Sequence, residues 1–409
     1  MQVVMLKKYD TDPVKALDLV QYAVPEPNKD EVLVEVYAAS LNPIDARIRA
    51  GYGKTIFSLK APLPIILGRD FSGVIVKVGE DVQEYKKGDS VFGVVSPFRA
   101  LGMKQGSHAE FVCIPTSEIT NKPTNVTHVQ AASFPYVALT TYHALITQSG
   151  MRCEDYAGKQ VFVSAGAGGV GSYAIQFLKA LNAYVVTTCS EANVDYLNRL
   201  GADEVINYEK EDYSKRVRNC DIAYDLLGKS HTDSILPLLK SVSLYKAIEL
   251  QIEAVLTSCL EMLAGADETW DVSKYKNILK YFDLELLKIF SYSSRYISIV
   301  GPMMPFTDSK GLHVGMRQFV SNTLERKFYQ IKEHGRYFNY SFFEPNITGL
   351  KLLAEHIRTD KVKSCVFQVF SLAQAAEAHK SIDSGHTRGK IVFYMNVNNN
   401  DSTLKNYVN

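Results

Sequence analysis

A glycine turn set between a strand and a helix constrains this 409-residue chain more than any other feature. Val161-Phe162-Val163-Ser164 is a short apolar run, and Ala165-Gly166-Ala167-Gly168-Gly169-Val170-Gly171 follows it. Val170, Ala174, Phe177, Leu178 and Leu181 then draw the buried stripe of an amphipathic helix. Glycines let backbone N–H groups approach a pyrophosphate, and a helix N-terminus favours its negative charge. The bare G-x-G-x-x-G spacing is weak evidence. A strand before it, a helix after it and a second strand at 184–188 supply the context of a dinucleotide fold. The competing reading is a tight turn in a sheet with no ligand. Residues 160–178 carry no charge, but four glycines and a switch from strand to helix period argue against a membrane span.

From about Ala138 to Glu344 short apolar runs alternate with helical stretches, which predicts an α/β region with a parallel sheet. Its expected strands are 161–164, 184–188, 205–206, 222–225, 296–300 and 340–343. The first 140 residues are β-rich, with Glu31-Val32-Leu33-Val34-Glu35-Val36-Tyr37 alternating as a half-buried strand does. A helix near 348–358 precedes two more alternating strands, 365–370 and 390–395. The expected division is 1–137, 138–360, a return at 361–396 to the first domain, and a disordered Asn/Ser-rich tail at 397–409. Within the second part, Leu244, Ile248, Ile252, Val255, Cys259 and Leu263 form one helical stripe. Tyr275, Ile278, Phe282, Leu286 and Ile289 form another, with a break at Ala264-Gly265-Ala266-Asp267. An antiparallel helical hairpin at about 239–291 follows, inserted between the fourth and fifth strands. It either packs on the protein itself or leaves an apolar face for a homodimer or another partner.

Charge and cysteine usage exclude several classes. Lys and Arg number 45 against 44 Asp and Glu, so a net charge of +1 gives no electrostatic case for nucleic acid or an anionic membrane surface. Hydrophobic residues at 46% and charged residues at 22% exclude global disorder. Cys113, Cys153, Cys189, Cys220, Cys259 and Cys365 form no CxxC pair, as expected of reduced intracellular thiols. Met1 to Leu6 already read as a strand rather than as a secretory or transit segment.

About 20 residues beyond the glycines, NAD-binding folds place a carboxylate on the ribose 2′-hydroxyl. This chain has Cys189-Ser190 there, and a hydroxyl can donate to a 2′-phosphate that a carboxylate would repel. The position favours NADPH, although Glu191 is next along and no Arg or Lys is adjacent in sequence. Ser190 is equally suited to cap a helix.

Further motifs run along almost the whole chain: Ser40-Leu41-Asn42-Pro43-Ile44-Asp45, Arg49-Ala50-Gly51-Tyr52-Gly53, Leu67-Gly68-Arg69-Asp70-Phe71-Ser72-Gly73, Phe134-Pro135-Tyr136-Val137-Ala138-Leu139-Thr140, and Gly385-His386-Thr387-Arg388-Gly389-Lys390. With these the chain resembles the zinc-free quinone oxidoreductase branch of the medium-chain dehydrogenase/reductase superfamily, and within it the mitochondrial, reticulon-interacting group. The resemblance implies a GroES-like β-rich catalytic domain and a Rossmann doubly wound parallel-sheet cofactor domain. It implies NADPH contacts at Ala167, Gly168, Gly169, Val170 and Gly171, at Ser190 and Tyr208, at Leu227 and Gly228, and at His386, Thr387 and Arg388. On physical grounds alone His386 and Arg388 would be surface groups.

Zinc relatives of this fold need Cys and His ligands. Here Asn42 stands for the first Cys, Arg69 and Asp70 replace a His-Glu pair, and no cysteine lies between Val91 and His108. No metal is expected. Without a Lewis acid, reduction of a quinone or conjugated carbonyl asks less of the protein than alcohol oxidation does. Asn42 and Tyr52 are candidate donors to developing negative charge, with Asp45 and Arg49 placed to organise them. The plainer reading makes Asn42-Pro43 a turn, Asp45 a cap and Tyr52 a packed aromatic. The resemblance further implies a mitochondrial location, a link to ubiquinone biosynthesis and respiratory function, and a reticulon-type membrane-protein partner. The alternatives are a cytoplasmic member, an NADPH-binding interaction protein with little turnover, and an enoyl-thioester reductase.

Overall fold

The computed structural model describes residues 1–60, 62–97, 99, 104–228, 231–241, 255–260, 262–263, 277–278, 294–301 and 303–395. Its strands are, in order, β1 Gln2–Leu6, β2 Leu17–Gln21, β3 Glu31–Leu41, β4 Ile65–Ile66, β5 Asp70–Val78, β6 Ser90–Val94, β7 Phe111–Pro115 and β8 Ile119–Asn121. There follow β9 Gln160–Val163, β10 Tyr184–Cys189, β11 Glu204–Asn207, β12 Ile222–Asp225, β13 Ser294–Ser298, β14 Arg336–Tyr340, β15 Val366–Ser371 and β16 Lys390–Tyr394. They belong to two compact units. The first comprises Met1–His143, Gly166–Ala180 and the described residues from Phe343 onward; the second comprises Ala144–Ala165 and Leu181–Phe342.

The first unit is built on β3. One edge of this 11-residue strand pairs with β5. The other edge is shared, its first half pairing with β7 and its second half with β16. The sheet order is β15-β16-β3-β5-β6-β8, and a smaller sheet runs β2-β1-β4. Val34, Val36, Leu41, Phe71, Ile75, Ile391 and Phe393 fill the core between these strands. Because β3 carries partners along its whole length, its C-terminal end at Ser40-Leu41-Asn42 is fixed beside the starts of β5 and β16. That end holds the candidate site.

The second unit contains a six-stranded parallel sheet in the order β11-β10-β9-β12-β13-β14. This is the doubly wound order of a dinucleotide fold, in which ligands bind beyond the carboxyl ends of the strands. Its central strands are buried almost throughout, which explains their near-continuous apolar sequences. Tyr296 and Phe338 stack at 4.9 Å within its core. Among the described residues no helix is long and apolar enough to cross a membrane.

Three sequence expectations need correction. The fifth and sixth strands lie at Ser294–Ser298 and Arg336–Tyr340, earlier than the expected 296–300 and 340–343. The sixth was displaced because its polar residues are buried with partners: Arg336 donates to the carbonyls of Leu239 and Lys240, and Asn339 donates to Gln148 and to the Tyr337 oxygen. The helix Gly169–Ala180 is not one buried stripe, since Gly171 to Leu178 are buried on every side while Val170 is half-exposed. Its polar residues are satisfied inside: Ser172 donates to Gly169 O, and the Gln176 amide exchanges hydrogen bonds with the backbone of Lys363. Of the expected hairpin, 255–260 and 262–263 are helical with Cys259 and Leu263 buried, and Ile278 is buried. Leu244, Ile248, Ile252, Tyr275, Phe282, Leu286 and Ile289 lie outside the described residues, as does the 397–409 tail.

Candidate functional site

In the first unit β3 delivers Ser40, and Asn42 follows where the strand hands over to the helix Pro43–Arg49. Asp45, at the third position of that helix, accepts from the Asn42 backbone N–H at 2.9 Å and from the Gly68 N–H at 3.2 Å. Asp45 is therefore a cap that also ties down the turn before β5. Gly68 needs its glycine there: its φ is +97°, and a Cβ would fall 2.4 Å from the His108 ring.

Around Asp70 the side chains converge. One oxygen accepts from the Ser40 hydroxyl, from Asn42 Nδ2 at 2.9 Å and from Lys390 Nζ at 3.2 Å, while the other accepts from the Tyr136 N–H. Lys390 Nζ also donates to Asn42 Oδ1. Asn42, Asp70 and Lys390 are all buried, so an ion pair and an amide are held in low dielectric with their hydrogen bonds made. The carbonyl of Ser40 lies 3.2 Å from His108 Nε2, and burial pushes that imidazole below its ordinary pKa.

The hydrogen bonds of Arg49 lead away from Asn42. Arg49 is buried and donates instead to Asp383 at 2.5 Å and to the Thr11 carbonyl at 2.6 Å, joining the helix Pro43–Arg49 to the helix Ala375–Asp383. Tyr52 is half-buried and lies within electrostatic range of Tyr136. Tyr136 stacks on Phe343 at 4.4 Å, and burial pushes its phenol well above the ordinary tyrosine range.

The donor set does not fit a zinc ion. Among the described residues no three His, Cys, Asp or Glu are grouped to hold a metal. Moreover, the oxygens of Asn42 and Asp70 already share the ammonium of Lys390.

The glycine turn also belongs to the first unit from Gly166 on. Gly168 pairs with Gly389, and the Gly389 N–H donates to the Ala167 carbonyl at 2.8 Å. A Cβ on Gly169 would lie 2.8 Å from Lys390 Cδ, so the turn is pressed against the same lysine that reaches Asn42. Gly169, Val170 and Gly171 open the helix Gly169–Ala180, where the first N–H groups of an α-helix lack intrahelical partners and suit an anion. Of the returning segment, His386 and Arg388 are exposed and Thr387 is half-buried.

In the second unit Ser190 follows β10 and Tyr208 follows β11, the two brought together by the parallel pairing of Cys189 with Asn207. The Tyr208 N–H donates to the Cys189 carbonyl at 3.1 Å, and its ring is 57% exposed. Ser190 sits at the N-cap position of the short turn Glu191–Asn193 but makes no capping bond, its hydroxyl accepting from Asn193 Nδ2 at 3.0 Å. The neighbouring Glu191 carboxylate is taken up by Asn207 and by Lys210 Nζ at 2.7 Å. Lys210 is the nearby cation that sequence adjacency missed, because only the strand pairing brings it there.

The buried Asp225 at the end of β12 organises a second loop of this unit. Its Oδ1 accepts from the Leu227 and Gly228 N–H groups at 2.9 and 3.0 Å and from the Ser164 hydroxyl at 3.1 Å. Ser164 in turn accepts from the Leu226 N–H at 2.8 Å, and the other Asp225 oxygen accepts from Tyr296. Asp225, Lys210 and Lys390 were not singled out from sequence. Only Asp225, which closes an apolar strand, left a signal that could have found it.

Residues 28–124 match the alcohol dehydrogenase GroES-like domain family, and residues 200–393 match the zinc-binding dehydrogenase family. Over 387 residues the chain is 34% identical to "NAD(P)H oxidoreductase RTN4IP1, mitochondrial" of Danio rerio, covering 92% of this chain and 85% of that protein. It is 33% identical over 373 residues to the Homo sapiens protein of the same name, covering 89% and 81%. A quinone oxidoreductase structure from Coxiella burnetii superposes with a TM-score of 0.67 at 28% identity, covering 96% of this chain and 99% of that one. The Escherichia coli quinone oxidoreductase complexed with NADPH shares the fold, with a TM-score of 0.65 at 20% identity over 96% of this chain and all of that one. With a β-rich unit whose central strand leads into Asn42, a parallel sheet in dinucleotide order and relatives spanning most of its length, the chain belongs to the medium-chain dehydrogenase/reductase superfamily, as an oxidoreductase of the quinone oxidoreductase type.

Proposed function

We propose that this protein is an NADPH-dependent, zinc-free oxidoreductase that reduces quinones or similarly conjugated carbonyls. The observation that carries the reading is the buried Asn42–Asp70–Lys390 cluster, which puts a fixed organic cation where zinc relatives need metal ligands and which lies directly against the glycine turn. When bound, the reduced nicotinamide supplies a hydride. The chain's own residues bind, orient and exclude water. Ala167, Gly168, Gly169, Val170 and Gly171 hold the pyrophosphate through backbone N–H groups, helped by His386, Thr387 and Arg388. Ser190 and Tyr208 take the 2′-phosphate, with Glu191 neutralised by Lys210. Leu227 and Gly228, on the loop held by Asp225, contact the cofactor. Asn42 and Tyr52, positioned by Asp45, line the acceptor site. In this reading 1–137 with 361–396 forms the catalytic domain and 138–360 the cofactor domain.

The mitochondrial relatives support a mitochondrial location, and with it we propose a role linked to ubiquinone biosynthesis. A Caenorhabditis elegans relative, 30% identical over 388 residues, is named "Reticulon-4-interacting protein 1, mitochondrial", which supports a reticulon-type membrane-protein partner.

Calorimetric titration tests the cofactor half of the reading. Two hydrogen bonds to a charged phosphate, partly offset by water, should favour NADPH over NADH by about 2–4 kcal/mol. Equal or tighter affinity for NADH would overturn it. Oxidation of NADPH by a panel of quinones and enones tests the other half, and binding without turnover on any of them would leave an interaction protein.

A further inference from the structure

Arg69 opens the stretch that becomes β5, and only 5% of its surface is exposed. A guanidinium carries five N–H donors and keeps its charge at any physiological pH. Among the described residues the group makes a single, long hydrogen bond, 3.4 Å from Nη1 to the Ser96 carbonyl. The nearby carboxylates are committed elsewhere: Asp70 to Lys390, Asp45 to the N–H groups of Asn42 and Gly68, and Glu118 to the Ser96 N–H. Among the described residues the guanidinium thus has no acidic partner, and a buried cation left so is far costlier than a neutral residue in the same volume. Proteins retain such a group where a ligand brings the missing negative charge.

What lies beside it specifies that ligand. The Tyr136 N–H is bonded to Asp70, the residue after Arg69, and the Tyr136 ring is set by its stack on Phe343. Arg69 and the Tyr136 phenol interact electrostatically, with Tyr52 and Asp45 also in range. Burial keeps that phenol protonated, so it remains an O–H donor. A permanent cation and a neutral O–H donor side by side suit an oxygen that acquires negative charge, not a metal and not an amine.

We propose that Arg69, with Tyr136 beside it, receives the substrate oxygen that becomes anionic on reduction: the carbonyl oxygen of a quinone or conjugated enone. This rests on the acceptor class proposed above. A hydride leaves a dihydronicotinamide C–H bond with two electrons, oxidising that ring, and forms one new bond: C–H on the β-carbon of an enone, or O–H on one oxygen of a quinone. The π electrons displaced collect on the carbonyl oxygen as an enolate or hydroquinone anion, and water later protonates it. Arg69 keeps its own proton throughout and acts by charge and hydrogen bonding.

The test uses the full chain and 4-nitrophenolate, a stable phenoxide whose absorption reports its ionisation. Wild-type protein should bind the anion and lower its apparent pKa. Arg69→Met should weaken binding by roughly ten- to a hundredfold, the range of one charge-assisted hydrogen bond. It should also raise the unfolding temperature, because an unpaired buried charge is replaced by an apolar chain. Arg69→Lys should recover part of the binding. Arg69→Gln carries the same expectation of lost binding should the methionine variant not fold. Wild-type affinity for nitrophenolate in Arg69→Met or Arg69→Gln overturns the proposal, as does quinone reduction by either variant at the wild-type kcat/KM. If wild-type protein reduces no quinone or enone while anion binding still depends on Arg69, the acceptor class fails and the oxyanion receptor stands.

Discussion

Two buried histidines of the first unit make its stability depend on pH. His379, on the helix Ala375–Asp383, is fully buried with neither ring nitrogen hydrogen-bonded among the described residues, and His108, within electrostatic range of it, leaves its Nδ1 likewise unpartnered. Burial drives the His379 pKa down to about 2, with smaller contributions from the charges of His108 and Arg49. The unfolded chain takes up its proton near pH 6.5, whereas the folded chain resists protonation until pH about 2. The stabilisation is therefore complete above pH about 6.5 and is lost as pH falls through that window, at up to about 1.4 kcal/mol per pH unit for one histidine. Denaturant titrations between pH 7 and pH 4 should show this slope, and His379→Leu should flatten it. An unchanged acid limb in that variant would show that the imidazole titrates alike in the folded and the unfolded chain. At this scale the sequence was legible only for local pairs. Asn42 and Asp45 read as turn and cap because they are three residues apart, and the structure makes that bond. Arg49 with Asp383 and Lys390 with Asp70 are separated by 334 and 320 residues, and nothing local distinguishes these side chains from solvated ones.

At the scale of elements, short buried strands announced themselves by apolar composition, and β9, β10 and β12 lie where the sequence places them within a residue or so. β14 did not, because Arg336 and Asn339 are buried with carbonyl and amide partners, and a hydropathy pattern cannot foresee a satisfied polar group. The glycine turn was legible for the opposite reason: its requirement for small residues is written directly into the sequence. The loop after β12 combines both cases. Leu227 and Gly228 were assigned to the cofactor by resemblance, while the carboxylate that shapes their loop was overlooked. Asp225→Asn keeps the volume but presents an amide, and one rotamer turns N–H groups against the Leu227 and Gly228 N–H groups while the other abandons Ser164. Hydrogen bonds to a charged acceptor contribute roughly 1.5–3 kcal/mol each, so this variant should lose at least about 2 kcal/mol of stability. NADPH affinity should fall with it. Asp225→Glu, which restores the charge but lengthens the arm, should regain stability more fully than affinity if the loop's position matters to the cofactor. Parallel loss and recovery of both quantities in calorimetry would make Asp225 a purely structural residue.

For the whole molecule, the segment at about 239–291 is what its family pattern does not account for. The paired strands on either side show that the sheet closes without it. β12 and β13 are direct neighbours, with Ile222 opposite Arg295 and Asp225 opposite Ser298. The ends of the intervening chain meet as well: the Ser294 hydroxyl donates to the Lys240 carbonyl at 2.7 Å, and the Arg295 N–H donates to Asp221 O at 2.9 Å. Lys240 is held independently by Arg336 and by its own N–H on Cys220 O. A few glycine and serine residues can therefore join Ser241 to Ser294 without moving either strand. Within the segment Cys259, Leu263 and Ile278 are nonetheless buried, and each fully buried aliphatic chain contributes roughly 1.5–3 kcal/mol. If those side chains shield apolar surface of the second unit, removing the segment uncovers that surface, and the shortened protein should fold with a lower unfolding temperature and a tendency to associate. If they bury only one another, the shortened protein should keep the unfolding temperature of the full chain. In both cases the strand ends at Ser190, Tyr208 and Leu227 are untouched, so NADPH titration should give the affinity of the full chain. A shortened chain that folds, judged by circular dichroism, yet no longer binds NADPH would place the segment in the cofactor site, contrary to the sheet's own closure.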